Sequence, residues 1–125
     1  MKTINKIKSL KANGHYALSL IEDNRVYLSG QFSIDPNTGE KKFGTMSEEL
    51  KQVLSNIELI LKEAGSCKEK VLKVNVYIND LDKWSTVDEI YSNFFAEHTP
   101  ARTIIALPRL HFGFKVEVDV IATCK

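Results

Sequence analysis

The side chains best suited to chemistry in this sequence are an arginine and a glutamate in its last quarter. Arg102 follows "HTPA" and opens the apolar run 103–107, which is typical of a buried strand. A guanidinium cannot lose its proton to ease burial, so Arg102 needs an anionic partner there. Glu117 lies in "KVEVDVIA", where apolar and charged side chains alternate. That alternation places Glu117 on the face of a strand opposite to the valines.

Two interpretations of Arg102 are open. It can form a structural ion pair with Glu117, and the residues alone favour this interpretation. Alternatively, its planar guanidinium can hold a substrate carboxylate through two parallel hydrogen bonds. Glu117 is then free to orient or activate a water molecule.

The elements that must position these side chains follow from hydrophobic patterning. "HYALSLIED" and "NRVYLSG" predict an N-terminal hairpin, and "DPNTGE" predicts a tight loop. One helix begins at Thr45 or Ser47, with Glu48 and Glu49 in its first turn, and stops at Gly65. A strand over "VLKVNVYIND", a helix over about 83–97 and strands near 102–107 and 115–123 complete the chain. The order β-β-α-β-α-β-β predicts a single α+β domain over residues 1–125, with two helices packed on one sheet.

The same patterns predict which side chains are buried. The helical stripes and the alternating strand assign the following apolar positions to the core: Leu50, Val53, Leu54, Ile57, Ile60, Leu61, Ala64, Leu72, Val74, Val76, Ile78, Trp84, Val87, Ile90 or Tyr91, and Phe94. Two helices cover only one face of a sheet, yet Ile104 and Ile105 point opposite ways. The uncovered face is therefore expected to be an apolar patch that favours an oligomer, unless these residues lie at the rim or under loops.

Composition narrows the class of protein. Seventeen basic and sixteen acidic residues give a formal charge of +1, and the basic residues are scattered, so no nucleic-acid partner is expected. No segment has the length of a transmembrane helix or the pattern of a signal peptide, so no membrane partner is expected. Cys67 and Cys124 lie far apart, in no metal or redox spacing. These features predict a cytoplasmic domain.

Eight motifs follow one another in order over almost the whole chain. They are "GHY" at 14–16, "LSGQ" at 28–31, "DPNTGE" at 35–40, "NIELILKEAG" at 56–65, "VLKVNVYINDLDKW" at 71–84, "VDEIYSNFF" at 87–95, "PARTII" at 100–105 and "VEVDVIA" at 116–122. As a set they resemble the RidA/YjgF family of enamine/imine deaminases, also called the endoribonuclease L-PSP family. The resemblance implies a chorismate-mutase-like fold and a homotrimeric barrel with three sites in the clefts between subunits.

The resemblance also implies an activity and residues that carry it. The family hydrolyses reactive 2-imino acids, such as 2-iminopropanoate or 2-iminobutanoate, to 2-oxo acids and ammonia without a metal or organic cofactor. Arg102 matches the arginine that anchors the substrate carboxylate, and Glu117 matches the glutamate that positions water or transfers its proton. Tyr16 matches the tyrosine that lines the pocket. Gly30 matches the point where backbone approaches the ligand closely.

Departures from the family pattern leave the substrate range open. Ile104 stands where a cysteine is frequent, so only its backbone can contact a ligand. Asp88 stands where an asparagine is frequent and adds a negative charge near an anionic substrate. His15 and Leu18 replace a frequent proline and glutamine. Two alternative functions stay open, a non-catalytic ligand-binding or chaperone-like trimer and an endoribonuclease or translation inhibitor, although the sequence lacks the basic stripe and aromatic platform expected for RNA.

Overall fold

Two helices pack on one face of a six-stranded sheet in the computed structural model, which describes residues 1–124. The elements in chain order are β1 (Lys2–Ile4), β2 (Lys6–Ile7), β3 (Leu10–Lys11), β4 (Ser19–Glu22), β5 (Arg25–Leu28), α1 (Met46–Glu63), β6 (Val71–Ile78), α2 (Trp84–Phe95), β7 (Ala101–Ala106) and β8 (Val116–Thr123). The sheet order is β1-β4-β5-β8-β6-β7, and β2 and β3 form a separate hairpin. No helix in the described part of the chain is long and apolar enough to cross a membrane.

The predicted α+β architecture is confirmed, with additions at the N-terminus. Only β6 and β7 run parallel, and α2 makes the crossover between them, whereas the other pairs in the sheet are antiparallel. Patterning did not predict β1, β2 and β3, because strands of two or three residues are too short to show an alternation.

Helix α1 has the boundaries that its sequence predicts. Thr45 is the N-cap: its hydroxyl accepts from the backbone N–H of Glu48 at 3.1 Å, and the Glu48 carboxylate accepts from the Thr45 N–H at 2.9 Å. This reciprocal capping box satisfies two donors that would lack partners in the first turn. Gly65 follows the last turn with a φ of +80°, which a residue without Cβ adopts at little cost. All seven residues of the predicted stripe of α1 are buried.

Two of the predicted core positions, Leu72 and Trp84, are wrong, and a third, Phe94, is only partly buried against the core. Leu72 is 43% exposed and Val71 is buried instead, because a register shift between Val71 and Lys73 interrupts the alternation of β6. In α2 the buried residues are spaced by four, at Val87, Tyr91 and Phe95. Phe94 is consequently only half-buried, and Trp84, the first residue of α2, is 46% exposed.

The face of the sheet without helices is mixed rather than apolar. Cross-strand neighbours there are Tyr77 and Glu117, and then Asn75 and Asp119. Ile121 continues the same face beside Tyr27, which is 41% exposed. The expected apolar patch is therefore only partly present, because charged residues of β8 alternate with its buried valines. The face carries polar groups set among aromatic and aliphatic ones.

A buried carboxylate fixes the beginning of β8 against α1. Glu49 has no exposed surface, and its Oε1 accepts from the backbone N–H of Lys115 at 2.9 Å. Its Oε2 accepts from the N–H of Gly44 at 3.3 Å and lies 3.6 Å from the Lys115 ammonium. The Glu49 side chain thus fixes the position of Lys115, the residue immediately before β8.

We expect Glu49→Ala to lower the free energy of unfolding by about 1–3 kcal/mol, since it leaves backbone donors without their acceptor. Urea denaturation followed by circular dichroism measures the change. Glu58→Ala is the matched control on the same helix, because its side chain is 49% exposed and its ion pair with Lys68 spans 3.9 Å. Equal effects of the two substitutions would contradict the role given to Glu49.

Candidate active site

Arg102 is held between a carboxylate and an aromatic ring of α2. In β7 it is the partner of Val74, so its side chain lies on the helix-covered side of the sheet. Its Nη1 donates to Asp88 Oδ1 at 2.8 Å, and its guanidinium carbon lies 4.7 Å from the centre of the Tyr91 ring. Residues 1–124 offer the guanidinium no other hydrogen bond. Most of its N–H groups are therefore available to an anionic ligand.

The Arg102 side chain opens into a cavity of about 370 Å³ between α2 and β7. Asp88, Tyr91, Ser92 and Thr99 supply polar groups to its wall. Burial raises the pKa of Tyr91 to about 12, with the Asp88 charge adding to the increase and Arg102 opposing it. The phenol therefore stays neutral at physiological pH, and its ring offers the guanidinium an apolar face.

Glu117 lies on the other side of the sheet, among further titratable groups. Burial raises its pKa above the usual range, the charge of Asp119 raises it further, and His111 partly opposes both effects. Asp119 accepts a hydrogen bond from Asn75 at 2.9 Å. A carboxylate with raised proton affinity is a stronger general base than an ordinary glutamate. No three His, Cys, Asp or Glu side chains of the described chain are grouped so as to hold a metal ion.

Gly30 leaves the space that the Glu117 carboxyl group occupies. After β5 the chain pairs with β8 again at Gln31 and Val118, so the three residues between Tyr27 and Gln31 match only two on β8. A Cβ at Gly30 would lie 2.8 Å from Glu117 Cδ and would overlap its Oε2. The absence of a side chain at Gly30 is therefore what lets Glu117 lie against this segment.

Tyr16 and Gly30 line a second, larger cavity of about 610 Å³. Tyr16 is 51% exposed, and its hydroxyl accepts from the Asn13 N–H at 3.3 Å. Three lysines that are scattered in the sequence line the same cavity, without any acidic residue in its wall: Lys6, Lys11 and Lys41. Folding thus creates a local positive surface that composition did not predict.

The predicted site residues form two groups that one chain keeps apart. Arg102 meets Asp88 on the helix side of the sheet, whereas Gly30 meets Glu117 on the other side. The registers Val74–Arg102 and Tyr77–Glu117 put the two predicted catalytic side chains on opposite faces. The ion pair of Arg102 with Glu117 is therefore wrong within one chain, because the strand pleat separates them. Asp88 is the actual partner of Arg102.

Ile104 lies two residues beyond Arg102 on the same face of β7. Its side chain is partly buried and packs against the core. The contact of its backbone with a ligand stays a prediction.

Sequence reasoning missed two contributors to the site. Tyr91 was a candidate core residue, yet it also lies under the Arg102 guanidinium. Asp119 raises the pKa of Glu117. The signal for Asp119 was present, since it follows Glu117 by two residues in an alternating strand and must share its face.

Comparison with known proteins places the fold and motifs in a family. Residues 6–124 match the family model described as Endoribonuclease L-PSP. The chain belongs to this family, the RidA/YjgF family. The 2-iminobutanoate/2-iminopropanoate deaminase of Homo sapiens is 35% identical over 121 residues, which cover 97% of this chain and 88% of that protein. A RutC family protein of Pyrococcus abyssi is 38% identical over 115 residues, covering 92% of this chain and 91% of that one.

Solved structures of the family share the fold of this chain. The crystal structure of Escherichia coli TdcF with bound serine aligns with a TM-score of 0.90 and 30% identity, over 98% of each chain. The E. coli YjgF gene product aligns over 100% of both chains with a TM-score of 0.91 and 31% identity. The resemblance drawn from the eight motifs is confirmed.

We expect Glu117 to bind its proton at a higher pH than an unperturbed glutamate, because burial and the Asp119 charge both disfavour its anion. NMR titration of the Glu117 carboxyl carbon measures the midpoint. Asp119→Asn should lower this midpoint by removing a negative charge. Glu63→Gln, the same charge change on the exposed side of α1, should leave it in place. A midpoint in the ordinary glutamate range would show that Glu117 is not shielded from solvent.

Proposed function

We propose that this protein hydrolyses 2-imino acids, such as 2-iminopropanoate or 2-iminobutanoate, to 2-oxo acids and ammonia at sites shared between the subunits of a homotrimer. The observation that supports this most directly is the separation of Arg102 from Glu117 on the two faces of one sheet. Arg102 lines one cavity and Gly30, against which Glu117 lies, lines the other, but one ligand cannot reach both within a single chain. A second copy supplies the missing half. The deaminase name of the human relative supports the reaction type.

The proposed contact joins two different surfaces of the chain. One is the margin at β7, the last strand of the sheet order, and the other is the uncovered face around Glu117 and Tyr77. A contact between unlike surfaces is heterologous, and repeated copies form a ring when the rotation between neighbours closes. The family resemblance sets the expected number of copies at three. Tyr27 and Ile121 on the uncovered face would lose their exposed area in such a ring.

In this proposal Arg102 binds the substrate carboxylate through the N–H groups that Asp88 leaves free. The Tyr91 ring below and the Asp88 oxygen beside it restrict the guanidinium to one orientation. A guanidinium held in one orientation also fixes the C2 carbon of the bound substrate. Little further entropy is then lost when the complex reaches the transition state. The backbone of Ile104 supplies a further contact on the same strand, and that of Gly30 a contact from the other subunit.

Glu117 of the second subunit acts on water. Its carboxylate takes a proton as the water oxygen attacks C2 and the C=N electron pair moves to nitrogen, which then receives that proton. The resulting carbinolamine breaks its C–N bond as the hydroxyl proton passes to the departing nitrogen, releasing ammonia and the 2-oxo acid. Tyr16 borders the cavity next to Glu117 and orients the ligand there. We place the reaction in the cytoplasm, since both cysteines are free thiols.

Mixing two inactive variants tests whether the sites are shared. Arg102→Ala should abolish imine hydrolysis and Glu117→Gln should lower kcat by roughly 10²–10⁴, while both leave the oligomer assembled. Arg102→Lys should rescue poorly, since an ammonium lacks the planar fork. In trimers reassembled from an equal mixture, about one site in four pairs an intact Arg102 with an intact Glu117 from the next chain. Turnover of freshly generated 2-iminopropanoate should therefore recover to about one quarter of the wild-type rate.

The control for this experiment is the same pair of substitutions placed together in one chain and mixed with wild-type protein. Mixed trimers that stay inactive would mean that both groups act within one subunit. A monomer in sedimentation velocity at micromolar concentration would contradict the shared site directly. Ribonuclease activity that survives Arg102→Ala would lie outside this site.

Glu117→Gln also separates catalysis from binding. If Glu117 transfers the proton of water, kcat should fall by roughly 10²–10⁴, the usual contribution of general acid–base catalysis. Binding of 2-oxopropanoate, which cannot react, should persist in the same variant. Equal losses in kcat and in ligand affinity would instead make Glu117 a binding group, and unchanged kcat would remove Glu117 from the mechanism.

A further inference from the structure

We propose that Asp88 recognises the nitrogen of the ligand, so that the Arg102–Asp88 pair selects zwitterionic 2-iminium acids over ligands that carry only a carboxylate. The inference rests on the proposed function, because it takes Arg102 as the carboxylate anchor. It adds a substrate form, the protonated imine, and a residue that selects it.

The first support is the unused half of the Asp88 carboxylate. Oδ1 accepts from Arg102 Nη1 at 2.8 Å, and no hydrogen bond to Oδ2 forms within residues 1–124. The Asp88 side chain is 39% exposed and that of Arg102 is 23% exposed, and both line the cavity of about 370 Å³. A ligand in this cavity can therefore reach a free anionic oxygen beside a free cationic donor without breaking the ion pair.

The second support is the charge balance of this cavity. Arg102 and Asp88 together have no net charge, and no other acidic residue, lysine or arginine lines the wall. His98, which also lines it, is engaged at Nε2 with the Val71 carbonyl at 2.7 Å. A purely anionic ligand is attracted by Arg102 but repelled by Asp88. A zwitterion gains from both charges, so the pair discriminates between the two ligand types.

The spacing of charges in a 2-iminium acid fits such a pair. Its nitrogen is bonded to C2 and its carboxylate is attached to the same carbon, so the two charged groups are near neighbours. A carboxylate on Arg102 thus brings the nitrogen toward Asp88. An adjacent anion favours the protonated form of the imine, which makes C2 more electrophilic toward water. The proton on nitrogen leaves with the ammonium product, so the step needs no additional reactant.

A purely structural role for Asp88 makes a different prediction. If Asp88 only holds the guanidinium in place, asparagine should serve as well, since its amide oxygen accepts the same N–H. Asp88→Asn keeps that acceptor and removes the charge. The substitution therefore separates positioning of Arg102 from recognition of a cationic nitrogen.

The test compares two ligands with the same carbon skeleton, 2-oxopropanoate and alanine, by calorimetry on the assembled protein. Asp88→Asn should tighten binding of 2-oxopropanoate and weaken binding of alanine, changing the ratio of their affinities by about tenfold, as expected for one charged hydrogen bond. Glu89→Gln, the same charge change at the next, exposed position of α2, should leave the ratio unchanged.

The outcomes keep the two proposals apart. An unchanged ratio in Asp88→Asn, with both ligands still bound, would overturn the role of Asp88 and leave the deaminase proposal intact. Wild-type protein that binds 2-oxopropanoate but not alanine would likewise overturn the role of Asp88 and leave the deaminase proposal intact. Binding of both ligands by Arg102→Ala would overturn the carboxylate anchor, and the proposed function with it.

Discussion

Side chains alternate between the two faces of a β-sheet, and in this protein that alternation determines where every group of the site lies. β6 lies between the strands that carry the two halves of the site, because it pairs with β7, which carries Arg102, on one side and with β8, which carries Glu117, on the other. Its Val74 aligns with Arg102 and its Tyr77 with Glu117. Val74 and Tyr77 are three positions apart along β6, and this odd offset sends the cation and the base to opposite faces. Chemistry that needs both must use more than one chain.

Each half of the site depends on a small number of supports. Two supports fix the position of Glu117. Gly30 has no side chain that would overlap its carboxyl group, and Glu49 binds the backbone of Lys115, the residue just before β8. Arg102 keeps its place because α2 presents Asp88 and Tyr91 one helical turn apart. The helix therefore serves the core and the site at once. The buried residues of α2 fix the position of the helix on the sheet, and that position in turn fixes where the Arg102 guanidinium lies.

Local sequence patterns were sufficient for those features that depend on periodicity alone. They predicted both helices, the capping of α1, the alternation of β8 and hence the face on which Glu117 lies. They failed at Leu72, where a register shift breaks the period, and at the partner of Arg102. Asp88 is fourteen residues away on a helix, and its contact depends on how α2 packs over β7. No spacing rule describes such a contact. The lysines around the larger cavity were missed for the same reason.

The hairpin of β2 and β3 forms one wall of the larger cavity, and it sets Lys6 directly opposite Lys11. Like charges in such cross-strand positions repel, and two residues per strand give few hydrogen bonds to offset the repulsion. Local opening therefore costs less free energy here than in the central sheet. A ligand in the larger cavity therefore has on one side a hairpin that opens more easily than the strands of the central sheet.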